Sequence, residues 1–217
     1  MIKQPVNTWS NLGFMAVGIS MAWSLSAGSF QQNPNLLTRS KFHGALFSSV
    51  VVLLGPGSMA MHASGTRLGA TFDGLSMYVL AAMLVSYSAR RLFGLHWMIS
   101  SLMFAVVLTF QLWATRQRNI QFIPGNPGST AFAGCILLII LLEAVNVLVR
   151  RAERAHGWAY AAVGAIGLAY VIWNMSLTGR PWCAPESFVQ GHAIWHLLCA
   201  GSIYCLFRYF VSERTLC

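Results

Sequence analysis

The sequence predicts an all-α, polytopic membrane protein: a seven-transmembrane helix bundle with its N-terminus outside and its C-terminus inside. Three observations point that way. The 217 residues are 56% hydrophobic and only 9% charged, with a mean hydropathy of +0.60, too apolar for a soluble domain of this size. The apolar residues fall into roughly seven long runs, each near the ~20 residues that cross the hydrocarbon core of a bilayer. Those runs are continuous rather than alternating, which fits helices and not barrel strands.

The spans follow in order. Trp9–Ser26 comes first; Lys3 before it and small residues near Ala27 mimic a signal peptide, but the charge placement below favours a retained helix. Phe42–Met61 is second, and its Gly55-Pro56-Gly57 is expected to kink or loosen the last turns. Ala70–Ala89 is third, with Asp73 expected within about a turn of its start, and it closes on Arg90-Arg91. Leu95–Trp113 is fourth and leads into the longest connection, Thr115–Ser129, whose Pro124-Gly125-Asn126-Pro127-Gly128 core is rich in turn formers. Thr130–Val149 is fifth and carries Glu143 and Asn146 toward its inner end, where they are expected to meet Arg150 and Arg151. Gly157–Met175 and Gly191–Val211 complete the bundle. The connections are short, so residues 1–217 read as one domain.

Basic residues set the orientation. Lys3, Arg67, Arg116, Arg118 and Arg180 fall on one side, whereas Arg39, Lys41, Arg90, Arg91, Arg150, Arg151, Arg154, Arg208 and Arg214 fall on the other. The richer side is cytoplasmic. The net charge of +9 then reflects topology and contact with anionic headgroups. Lys and Arg occur in ones and twos, without the basic patch of a nucleic-acid binder. An odd number of cysteines, five, gives no disulfide framework; Cys135, Cys199 and Cys205 read as packing residues, and Cys183 sits in an outer loop. Trp23, Trp113, Trp158 and Trp182 near span ends read as interfacial anchors.

Against this apolar background five polar residues stand out: Ser58 and His62 in the second span, Asp73 in the third, and His192 and His196 in the last, written H-A-I-W-H. The topology brings all five within one or two turns of the outer boundary. Ser58 and His62 are spaced i, i+4, as are His192 and His196, so each pair shares a helix face. Ionisable groups at membrane depth are costly and mark function. Three imidazoles match the donor number of a catalytic zinc site, which keeps a fourth position open for water. Taken singly, each histidine also fits a helix-to-helix hydrogen bond. Asp73 fits a general base acting on water whose pKa a metal has lowered, or a carboxylate that orients a ligand histidine. Ser58 fits a donor to a developing oxyanion, or a hydroxyl bonded back to its own helix. His43, His96 and His156 fall at the opposite, basic edge and read as interfacial.

The order G-S-M-A-M-H, then Asp73, then H-A-I-W-H resembles the alkaline ceramidase family, part of a wider superfamily of seven-helix membrane hydrolases that includes the adiponectin and progestin receptors. The resemblance extends to N-T-W-S-N-L at Asn7–Leu12 and to Trp173-Asn174, and covers essentially the whole chain. It implies that His62, His192 and His196 bind zinc, that Ser58 and Asp73 complete the catalytic set, and that the reaction hydrolyses the amide of ceramide to sphingosine and a free fatty acid. Two positions depart from the family pattern. M-I-K-Q-P-V before Asn7 contains no carboxylate, so the calcium site of eukaryotic members is not implied, and Gly74 stands where those enzymes carry Glu. Cys183 is similar to a cysteine that is disulfide-bonded in some relatives, but its N-terminal partner is missing. The short ends and loops are more similar to bacterial members, which implies a multi-pass protein of the bacterial inner membrane.

The expected function is therefore zinc-dependent hydrolysis of ceramide or a related N-acyl lipid taken from the bilayer. The alternatives are a lipid-sensing receptor-like protein on the same scaffold, or a haem- or metal-handling membrane protein using the same histidines.

Overall fold

Apolar runs in a membrane protein satisfy their own backbone by folding into helices, and the chain is helical almost throughout. The computed structural model describes residues 2–30, 35–150, 152–183 and 187–215, except the side chains of residues 118 and 215. Its helices are α1 (Pro5–Ser10), α2 (Leu12–Ser26), α3 (Leu36–Arg39), α4 (Lys41–Ser64), α5 (Arg67–Phe93), α6 (Trp97–Ala114), α7 (Pro127–Val149), α8 (His156–Met175) and α9 (Gly191–Val211). Among the described residues, six helices, α4 to α9, are long and apolar enough to cross a membrane.

The first apolar stretch departs from expectation, because it is broken at Asn11 into α1 and α2. The Asn11 backbone N–H closes a tight turn on the Thr8 carbonyl at 3.3 Å, and its side-chain amide donates to the Asn7 carbonyl at 2.8 Å. A buried asparagine that bonds nearby backbone competes with regular helical pairing. Helix α4 continues through Gly55-Pro56-Gly57 to Ser64. Gly55 permits close approach: a Cβ there would stand 2.5 Å from Met15 Cγ and 3.1 Å from the Asn11 carbonyl oxygen. Helix α5 begins at Arg67 rather than Ala70, with the Thr66 hydroxyl accepting from the Gly69 N–H at 3.1 Å. Asp73 consequently lies nearly two turns inside the helix.

The chain divides into two compact units, Met1–Asp73 with Glu153–Cys217, and Gly74–Ala152. In the first, α2 packs on α4, α8 on α9, and α1 touches both α4 and α9. Phe47, Phe207 and Phe210 are almost fully buried, with the Phe47 ring centroid 6.4 Å from Phe207 and 6.3 Å from Phe210. Asn35 caps α3 with its side-chain oxygen. Its amide nitrogen reaches the carbonyls of Phe210 at 3.1 Å and Glu213 at 3.1 Å, supplying donors where α9 runs out of its own. Arg154 pairs with Glu213 at 2.9 Å. Trp158, expected as an interfacial anchor, also carries the Arg208 guanidinium 4.6 Å above its ring.

In the second unit α6 packs with α7, and the fully buried Gln111 donates to the Tyr78 carbonyl at 3.1 Å. Glu143 does not pair with the Arg150 end of its own helix. Both of its oxygens accept from Arg91 Nη1, at 2.7 and 2.8 Å, while Arg150 Nε donates to the Leu92 carbonyl at 2.8 Å. Arg151 lies outside the described residues. A carboxylate buried on a helix interior needs an opposite charge within reach, and the partner comes from a neighbouring helix rather than from the helix end. The exposed faces of α6 and α7 carry Trp97, Met98, Leu102, Val106 and Phe110 and Leu137, Leu141 and Leu148, as suits helices solvated by lipid. Cys135 and Cys199 are buried, Cys183 is exposed, and these and Cys205 are free thiols.

Candidate metal centre

All residues of the candidate site belong to the first unit. Helix α9 starts at Gly191, directly before His192. A side chain on Gly191 would collide with Ser176, the residue that follows α8, so glycine lets the first turn of α9 lie against the end of α8. His192 and His196 then stand one turn apart on one face. Helix α4 brings His62 to its last turns, ending on the left-handed Gly65 with φ +60°, a conformation that glycine adopts without strain. Ser58 sits one turn before His62.

The three imidazoles converge. Ring centroids are 4.9 Å apart for His62 and His192, 5.0 Å for His62 and His196, and 4.7 Å for His192 and His196. One ring nitrogen from each lies within 4.8 Å of the others. His62 and His196 are buried and His192 is half-buried, with the edge of Phe14 against His196 at 6.1 Å.

A second set of contacts, not foreseen from sequence, comes from the N-terminal segment. Backbone N–H groups of Lys3 and Gln4 donate to the carbonyls of Ala63 and His62, each at 3.1 Å, and so tie the segment to the end of α4. Gln4 Oε1 then lies 2.6 Å from His62 Nδ1 and also accepts from Asn7 Nδ2 at 3.1 Å. Ser10 Oγ lies 2.7 Å from His196 Nδ1 and donates its hydrogen to the Asn7 carbonyl at 2.9 Å. An amide oxygen only accepts, so His62 Nδ1 donates to Gln4 and its Nε2 keeps a free lone pair. At His196 both Ser10 Oγ and the Asn7 carbonyl are acceptors for a ring proton, and a proton on Nδ1 leaves Nε2 free in the same way.

That arrangement fits a metal ion. Neutral imidazoles whose remote nitrogen is bound to an acceptor are the ordinary form of metal-ligating histidine, and an all-imidazole donor set suits zinc. His62, His192 and His196 would hold the ion. The only hint of the supporting contacts in the sequence is the density of polar side chains in Q-P-V-N-T-W-S-N at the mouth of an apolar run.

Ser58 and Asp73 are neighbours, the Ser58 hydroxyl close enough to act on the Asp73 carboxyl. Ser58 is buried and Asp73 half-buried. Because Ser58 shares its helix face with His62, the Asp73 carboxyl of α5 faces the same stretch of α4 that carries His62. The other histidines take different parts. His96 caps α6, accepting from the Met98 N–H at 3.4 Å, and the His156 ring lies 6.4 Å from that of Tyr209.

A protein-family model described as Ceramidase matches residues 1–216 of the chain. No curated protein matches it.

Proposed function

The chain belongs to the ceramidase family, and from that premise we propose that it is a zinc-dependent intramembrane amidase that cleaves ceramide or a related N-acyl lipid to a free fatty acid and an amine lipid. The observation that carries this reading is the convergence of His62, His192 and His196 with their ring nitrogens inside 4.8 Å. The substrate lies in the bilayer, as does the chain, whose six long apolar helices make it a multi-pass membrane protein. We read α1 and α2 together as the first of seven spans, with the N-terminus outside and the basic-rich loops in the cytoplasm.

A zinc ion held by the three histidines would polarise the amide carbonyl and lower the pKa of water at the site toward ~7. The rest is done by the side chains. Asp73, as carboxylate, accepts the proton of the attacking water while the water oxygen bonds to the amide carbon. Before that step the Ser58 hydroxyl points at Asp73. Once protonated, Asp73 donates to Ser58 Oγ instead, which releases the Ser58 hydrogen to the oxyanion growing on the former carbonyl. As the C–N bond breaks, Asp73 passes its proton to the leaving amine nitrogen. The amine lipid and the fatty acid depart, and Ser58 returns to the Asp73 carboxylate.

The test is lipid mass spectrometry on purified protein incubated with ceramides and other N-acyl lipids, with and without chelator, beside metal analysis. The expected result is one zinc per chain and fatty-acid release that chelator stops, with His196→Ala losing both metal and release. Full metal occupancy and unchanged release in the triple His62, His192 and His196 to Ala variant would overturn the assignment.

A further inference from the structure

We propose that Gln4 and Ser10 are positioning residues that hold His62 and His196 as Nε2 donors, so that the N-terminal segment sets the metal affinity of the site. The inference rests on the metal-site reading above and adds to it. Histidine offers either ring nitrogen to a metal, and the choice is made by whatever binds the other one. Here the choice is made twice, and by the same short segment: Gln4 Oε1 at 2.6 Å from His62 Nδ1, and Ser10 Oγ at 2.7 Å from His196 Nδ1.

Asn7 links the two. Its side-chain amide donates to Gln4 Oε1 at 3.1 Å, and its carbonyl accepts from Ser10 Oγ at 2.9 Å and from Asn11 Nδ2 at 2.8 Å. The donation from Asn7 faces the amide of Gln4 so that its oxygen, not its nitrogen, meets His62. The Asn7 carbonyl takes up the Ser10 hydrogen or the His196 proton, and in either case the group facing His196 Nδ1 is an acceptor. Asn7 thus bears on both contacts. The backbone bond from Gln4 N–H to the His62 carbonyl at 3.1 Å fixes the distance from the histidine's own main chain.

A purely structural role predicts something different. Gln4 is exposed, so shortening its side chain removes little packing, and any loss must come through the hydrogen bond. Removing a partner of this kind costs about 10- to 100-fold in metal affinity.

The experiment is zinc competition with a chromogenic chelator on the full-length protein in detergent, with cobalt absorption as a second readout of donor geometry and thermal unfolding of the metal-free form as a control. Gln4→Ala and Ser10→Ala should each weaken zinc about 10- to 100-fold and alter the cobalt spectrum without lowering the metal-free unfolding temperature. Gln4→Glu and Ser10→Thr, which keep an acceptor in place, should retain the wild-type affinity or exceed it. Wild-type affinity in both alanine variants overturns this inference while leaving the metal site intact, as does Gln4→Glu falling with Gln4→Ala. A wild-type protein that binds no zinc overturns the metal site itself, and this inference with it.

Discussion

The Ser58 hydroxyl lies beside the Asp73 carboxyl, bringing the second turn of α5 against the stretch of α4 that carries His62. On the proposed function the two residues have separable tasks. Asp73→Asn should keep zinc but lower kcat by about 10²- to 10⁴-fold, the range of a lost general acid–base group. Ser58→Ala should lower kcat by up to about 10²- to 10³-fold, as for an oxyanion donor. Single-turnover assays with metal analysis check both, and turnover that survives Asp73→Asn removes Asp73 from the base role.

Protons and metal compete for the same nitrogens. Each ligand imidazole must be neutral to bind, so acidification should release zinc and raising the pH should restore it. With three histidines involved, release should be steeper than the titration of one group. Zinc release followed against pH with a coloured chelator reads this directly, and a shallow single-proton curve counts against three-histidine ligation.

Arg91 and Glu143 form a buried pair at 2.7 Å with side chains 3% and 11% exposed. Removing one member strands a charge and should destabilise the fold by about 3–5 kcal/mol, whereas replacing both with Met should be near neutral. Unfolding in detergent measures the difference. Zinc content should not change in the folded fraction, because the pair belongs to the second unit and the histidine cluster to the first.

Gly55 gives way to nothing larger without a clash with Met15 and the Asn11 carbonyl. Gly55→Val should cost about 1–3 kcal/mol through overpacking. Gly134, which meets no atom within 4 Å of a built Cβ, should accept Ala without loss. Paired melting curves check the contrast.

How far the sequence discloses this protein depends on the reach of each signal. H-A-I-W-H is legible because i, i+4 spacing puts both rings on one face whatever else the fold does. His62 follows from the same rule applied to Ser58. Helix ends are read short, as at α5, because apolar runs mark hydrocarbon while capped helices continue past it into polar ends. The break at Asn11 escapes because polar residues at the mouth of an apolar run read as the ordinary start of one helix. Glu143 is matched to the wrong arginine because proximity in sequence favours Arg150, whereas packing of α5 and α7 favours Arg91. Gln4 and Ser10 escape for the strongest reason: their partners lie 58 and 186 positions away, and polar residues before an apolar run ordinarily serve only as caps.

The contact between Ser10 and His196, spanning 186 positions, also orders events in time. A nascent chain that has inserted α1 through α8 owns one ligand histidine, His62, and holds its supporting glutamine and serine ready with nothing yet to support at the second. The other two imidazoles of the cluster arrive together on α9. On the proposed function, the ion would find its full donor set only once α9 has inserted, and an unfinished chain would lack the activity toward surrounding lipids.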